Sequence, residues 1–208
     1  MKNSDKQDFF TIILEDALDA VERRQAADTQ AARRDQVRTA FIAIEGFVWV
    51  FREHIAEVAN MTHGLEPEEE IVLAETSFQV GKDGKINSQS KYVPLLSMVR
   101  LVARIAKRIA PTAEVDFSGS GWNKTQEALQ IRHRITHPKS RMDLMLSDAD
   151  MLTIEHVLFW LPEQITVAME HTNVAAKDYH GRFNDVLERL RASDPVVAKL
   201  YNALRDED

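Results

Sequence analysis

Apolar residues at Val37, Phe41, Ile44, Val48, Phe51, Ile55 and Val58 advance by alternate steps of four and three. All seven therefore share one seam of a long helix, which must pack on another helix. Such a seam fits the interior of a bundle or a coiled-coil dimer, and the bundle is the expectation. Phe47 and Trp49 lie beside the seam and read as core residues rather than a ligand platform. Upstream, Phe10, Ile13, Leu14, Ala17, Leu18 and Val21 predict an amphipathic helix over 8–24, while the polar, alanine-rich segment 25–34 leaves helix or connection undecided.

Further along, Pro67 followed by Glu68, Glu69 and Glu70 predicts a helix start, continued through Ile71, Ala74 and Phe78. Gly81–Lys85 is a turn, across which Phe78 and Val80 can pair with Ile86 in a minor hairpin near 78–88. Asn87–Lys91 reads as a mobile polar loop. Pro94 opens a helix with an apolar stripe through Leu95, Met98, Val102, Ile105 and Ile109, and Pro111 closes it. Arg100, Arg104 and Arg108 line another face of that helix, expected to be solvated and paired with neighbouring acids. Ser118 or Ser120 is expected to cap the next helix, which carries Trp122, Ala128, Leu129, Ile131 and Ile135.

Ser147 with Asp148 and Asp150 starts a helix through Met151, Ile154, Leu158, Leu161, Ile165 and Ala168, with Pro162 kinking it. Two shorter helices complete the chain, one through Phe183, Val186, Leu187 and Leu190, the other through Val196, Leu200 and Leu204. The fold expected is an all-α antiparallel helical bundle, one domain over 1–208, with a core over about 8–175 and a C-terminal helical extension over about 178–206.

Composition narrows function. The 208 residues carry a formal net charge of -7 and no cysteine. Cysteine chemistry is excluded, and an unselective basic nucleic-acid binder is disfavoured because a dispersed negative field repels phosphate. No signal peptide is recognisable, and the longest apolar run, Phe41 to Phe51, is interrupted by Glu45 and falls short of the about 20 residues a bilayer span needs. A cytoplasmic protein with no membrane partner is the expectation.

Against this acidic background, Ile131 to Arg141 holds four fixed positive charges, Arg132, Arg134, Lys139 and Arg141, with two imidazoles, His133 and His137. In an unbroken helix, residues five apart point about 140° away from each other, so Arg132 and His137 would diverge. Pro138 disfavours the α conformation at His137, which is expected to end the helix there and let its imidazole turn. An arginine beside a histidine suits phosphate chemistry: the guanidinium holds the anion and its developing charge, and the imidazole moves a proton. On RNA that chemistry is attack of the 2′-hydroxyl on its own phosphate, with no metal or cofactor. His133 and His137 also have the spacing of two metal ligands, but no acidic third ligand lies nearby and the flanking cations disfavour a divalent ion. A plainer reading has Arg134 and Lys139 complementing the helix dipole.

The run Arg132-His133-Arg134-Ile135-Thr136-His137 resembles the signature of the HEPN superfamily, an Arg followed by a polar Asn, Asp or His and, a few residues on, by a His. His133 fits the polar slot; Pro138 directly after His137 is a departure. The resemblance implies an all-α HEPN-like bundle and a metal-independent endoribonuclease of a prokaryotic defence or toxin–antitoxin setting, without cofactor. It further implies RNA as substrate, a homodimer that joins two motifs in one cleft, and an antitoxin as a further partner. Arg132 and His137 are then the catalytic residues, His133 supports them, and Arg134 or Lys139 binds the RNA backbone. The alternative is a non-catalytic HEPN-like module that binds a nucleotide, RNA or an acidic partner. His54, His63, His156, His171 and His180 are not assigned to the site.

Overall fold

The computed structural model describes residues 3–62 and 64–192. Among them are six α-helices and one two-stranded hairpin, in the order α1 (Asn3–Ala26), α2 (Gln30–Met61), α3 (Pro67–Leu73), β1 (Thr76–Val80), β2 (Ile86–Ser90), α4 (Leu95–Ile109), α5 (Ser120–Thr136) and α6 (Asp148–Arg191). A single 3-10 turn, Arg141–Leu144, lies between the last two helices. The architecture is a mostly α-helical bundle with a minor β-hairpin.

The apolar periods account for the packing. All seven seam residues of α2 are buried, and α2 packs against α1, α4 and α6, so the seam lies inside the bundle. Each fully buried Phe or Ile there contributes on the order of 1.5–3 kcal/mol relative to exposure. The undecided segment after α1 resolves into a break: Thr29 is extended and its side chain accepts the Ala32 N–H at 3.1 Å, starting a new helix. The α4 stripe and the Met151–Ala168 stripe of α6 are likewise buried. Pro162 is accommodated within α6, which continues past it.

Three expectations are corrected. The helix begun at Pro67 ends at Leu73, and Glu75 adopts a left-handed φ of +48°, turning the chain so that Phe78 enters β1 rather than a helix. The hairpin pairs Val80 with Ile86 and Phe78 with Ser88. Asn87–Ser90 are therefore strand, their backbone groups engaged with β1 although their side chains give no alternating apolar signal. Finally, the segment with Phe183, Val186 and Leu187 is no separate helix: α6 runs for 44 residues, about 66 Å, because beyond Pro162 nothing stronger than Gly181 interrupts it. The last expected helix, through Val196, Leu200 and Leu204, lies outside the described residues, as does His63. Among the described residues, no helix is long and apolar enough to cross a membrane.

Candidate functional site

α5 delivers the basic stretch, and its own sequence sets its position. Neither Ser118 nor Ser120 caps it: Gly119 occupies the N-cap without a side-chain bond. Asp116 organises the turn instead, its Oδ1 accepting the N–H groups of Ser118 and Gly119 and the Ser118 hydroxyl. Those bonds, the Ser118 hydroxyl foremost, hold the exposed Asp116 carboxyl below the usual carboxylate range. A Cβ at Gly121 would run into the Trp160 ring, so glycine is what allows α6 to approach α5 closely there. Trp122, Thr125, Ala128, Ile131 and Ile135 then form the buried face, against α6 and α2. Arg132, next to Ile131, is brought to the α2 side.

There Arg132 Nη2 lies 2.7 Å from Glu45 Oε1, and its guanidinium carbon sits 5.6 Å from the centre of the Phe41 ring. Phe41, Glu45, Val48, Trp49 and Arg52 follow one another at helical spacing and present a single face of α2. With Tyr92, Leu95 and Met98, most of that face and Arg132 and His133 line a cleft of about 500 Å³. His133 is exposed at its border. His137 is not among the lining residues.

α5 ends as Pro138 requires. Thr136 is its last residue, and its hydroxyl donates to the Arg132 carbonyl at 2.7 Å. The His137 N–H still donates to the His133 carbonyl at 3.0 Å, but φ at His137 is -124°. That is about 60° from the helical value and rotates the Cα–Cβ bond out of the direction a continuing helix would impose. His137 and Lys139 are both exposed.

Arg134 has another role. Its Nη2 pairs with Asp150 Oδ2 at 3.0 Å, tying the end of α5 to the first turn of α6. Burial pushes the Asp150 carboxyl up, but bonds from the Ser147 N–H and hydroxyl and from Arg134 outweigh it, so the group stays anionic to lower pH than usual. Arg134 is therefore engaged as a structural tie between α5 and α6. The loop after His137 is held by Asp143, whose Oδ2 accepts the N–H groups of Lys139 at 2.8 Å and Ser140 at 2.7 Å, leaving the Lys139 ammonium without an ion-pair partner among the described residues.

Other titratable groups are accounted for separately. His54 bonds to Thr172 at 3.0 Å and His171 to Thr112 at 3.1 Å. Burial, and secondarily Lys124, pulls the His156 pKa down. Among the described residues, no three His, Asp or Glu side chains are grouped so as to hold a metal ion. The residues that pattern reasoning missed are Glu45, Arg52, Glu75 and Tyr92, and Trp49 is corrected from core to half-buried cleft wall. Glu45 did leave a signal, as the one charge inside the apolar run Phe41–Phe51, where a carboxylate needs a cation from elsewhere. Comparison with known proteins finds no matching family model, no matching curated protein and no matching solved structure.

Proposed function

We propose that the chain is a HEPN-like, metal-independent endoribonuclease that acts as a homodimer in a prokaryotic defence or toxin–antitoxin setting. The observation that carries this reading is the end of α5 at Thr136, with His137 rotated out of helical register one residue before Pro138. That release supports the reading, because His137 is no longer held to the about 140° divergence from Arg132 that an unbroken helix imposes. The 2′-oxygen attacks its adjacent phosphorus, the O2′–P bond forms and the P–O5′ bond breaks. His137 accepts the 2′ proton, and the same residue of a second copy supplies one to the leaving 5′-oxygen. Arg132 orients the phosphate and stabilises its developing charge, with His133 beside it and Lys139 on the RNA backbone.

Glu45 already occupies Arg132 and must yield to the phosphate. The pair is partly exposed, with side-chain exposures of 29% and 41%, and such pairs contribute no more than about 1 kcal/mol. A phosphate offers the guanidinium the same charge-assisted, forked geometry as a carboxylate and can compete for it. Cleavage of mixed RNA in EDTA tests the reading, with products ending in 2′,3′-cyclic phosphate and 5′-hydroxyl. Activity should vanish in both Arg132→Ala and His137→Ala; undiminished activity in both folded variants removes this site.

A second reading is favoured by the same Glu45 contact and by the absence of His137 from the Arg132 cleft. It is a non-catalytic helical module that binds nucleotide or RNA through that cleft. Tight RNA binding without any cleavage product would select it.

A further inference from the structure

We propose that the cleft beside Arg132 is a subsite for one unpaired nucleobase, stacked against Tyr92 and Trp49; this rests on the reading of the protein as acting on RNA. Its volume, about 500 Å³, lies within the roughly 300–1,000 Å³ of small-ligand sites and accommodates a base with its ribose. Trp49 contributes from α2 and Tyr92 from the segment joining β2 to α4, while Arg132 and His133 lie on the cleft's α5 side. A large aromatic side chain that is 71% exposed, as Tyr92 is, leaves ring surface open to a stacking partner.

Tyr92 is exposed but its backbone is tied down. The Glu75 carbonyl accepts the Lys91 N–H at 2.7 Å, and Glu75 Oε1 accepts the Val93 N–H at 3.0 Å, so both neighbours of Tyr92 are fixed by one residue. Glu75 Oε2 accepts from Arg52 Nη1 at 3.2 Å, linking the same residue to α2. Glu75 holds all three with its backbone in the left-handed region, at φ +48°. That conformation is unfavourable for a glutamate and persists only where surrounding contacts over-determine it, commonly at binding sites.

The charges in the cleft match a base rather than a free phosphate. Its two arginines each face a carboxylate, Arg132 with Glu45 and Arg52 with Glu75, so the lining is close to neutral while rich in donors and acceptors. A flat, neutral heteroaromatic ring with polar edges suits such a lining between aromatic side chains. Its attached phosphate would stay at the border, by Arg132 and exposed His133. A base can enter only after leaving its stack, so single strands are bound and cut while the same sequence held in a duplex is not.

Titration of intrinsic tryptophan fluorescence with AMP, GMP, CMP and UMP, against ribose 5-phosphate, tests the subsite on the intact chain in EDTA. At least one nucleotide should quench and ribose 5-phosphate should not, Trp49→Phe should remove the quench, and Tyr92→Ala should weaken binding about ten-fold. Tyr92 is exposed enough for that variant to fold. The proposal is overturned by no quench from any of the four nucleotides at millimolar concentration, by equal binding of ribose 5-phosphate, or by unchanged affinity in Tyr92→Ala. Base-dependent binding with no RNA cleavage upholds the subsite and removes the ribonuclease reading. Cleavage that depends on Arg132 and His137 but is indifferent to Tyr92 and to strand pairing does the reverse.

Discussion

The arginine row of α4 and the basic end of α5 are similar as strings of residues, each several cations delivered by one helix, yet their surroundings differ. On α4, both oxygens of Glu69 accept from Arg108, at 2.9 and 2.7 Å, and Arg104 approaches the same carboxylate at 3.5 Å. Arg100 stacks over Phe117 and Trp122, with its guanidinium carbon 4.7 and 4.9 Å from the ring centres. Lys107 pairs with Glu114. On α5, only Arg132 and Arg134 find carboxylates. His133 near its end, and His137, Lys139 and Arg141 just beyond it, are exposed and form no side-chain ion pair among the described residues. The expected pairing of the α4 row with acids is seen for Arg104 and Arg108, and the row lines none of the Arg132 cleft. Whether a cation is available to a ligand thus depends on which acid another element brings to it.

Cleavage gives the largest contrast. His137→Ala should lower RNA cleavage by about 100-fold or more, the lower end of what a general acid–base contributes, while Arg104→Ala should leave it within about two-fold. Equal losses in the two variants would erase the distinction between the helices. Next comes Glu69→Ala, which removes a carboxylate that is 6% exposed and leaves Arg108 and the Glu66 N–H without it. We expect a loss of about 2 kcal/mol in urea unfolding, below the full cost of breaking a buried pair because Arg108 is partly solvated.

Acid should have a related effect. Burial pushes the Glu69 carboxyl up, but Arg108 and the Glu66 N–H outweigh it and its folded pKa is lowered. Its stabilisation is therefore complete above the unfolded value of about 4.3 and is lost as pH falls through the folded one. Glu69→Ala should flatten that part of the stability profile, and an identical acid limb in the variant would contradict the clamp.

A smaller effect is expected at Glu45. Glu45→Gln should leave Arg132 unneutralised, tightening binding of a short single-stranded RNA about three- to five-fold. The logarithmic salt dependence should keep its slope, because Arg132 meets the same phosphate once Glu45 has yielded. Unchanged affinity would mean that Arg132 does not meet phosphate. Smallest of all, Arg100→Ala should cost about 0.5–1 kcal/mol of stability through the lost stacking and leave RNA binding unaffected.

Much of the bundle was legible because a helix that buries one face must repeat apolar residues along it, as Val37 to Val58 and Met151 to Ala168 do. Breaks were legible where a residue carries its own backbone constraint, as Pro94, Pro111 and Pro138 do. The hairpin was only half legible: Phe78, Val80 and Ile86 supply a β signal, whereas Asn87–Ser90 become strand only through β1. The serine caps expected for α5 failed because Asp116 draws the N–H groups of Ser118 and Gly119 and the Ser118 hydroxyl into a turn of its own, which leaves Gly119 at the N-cap.

What the sequence by itself determined is therefore local: helical periods, the prolines that end them, and a basic cluster whose last histidine falls just before one of those prolines. The tertiary structure decided the rest, pairing Arg132 with Glu45 across 87 positions of chain, tying Arg134 to α6, and using Glu75 to hold Tyr92 at the cleft. Periodicity and proline act on the backbone within a few residues, but the partner of a charge or an aromatic ring is whichever group packing brings near, and that depends on every helix at once.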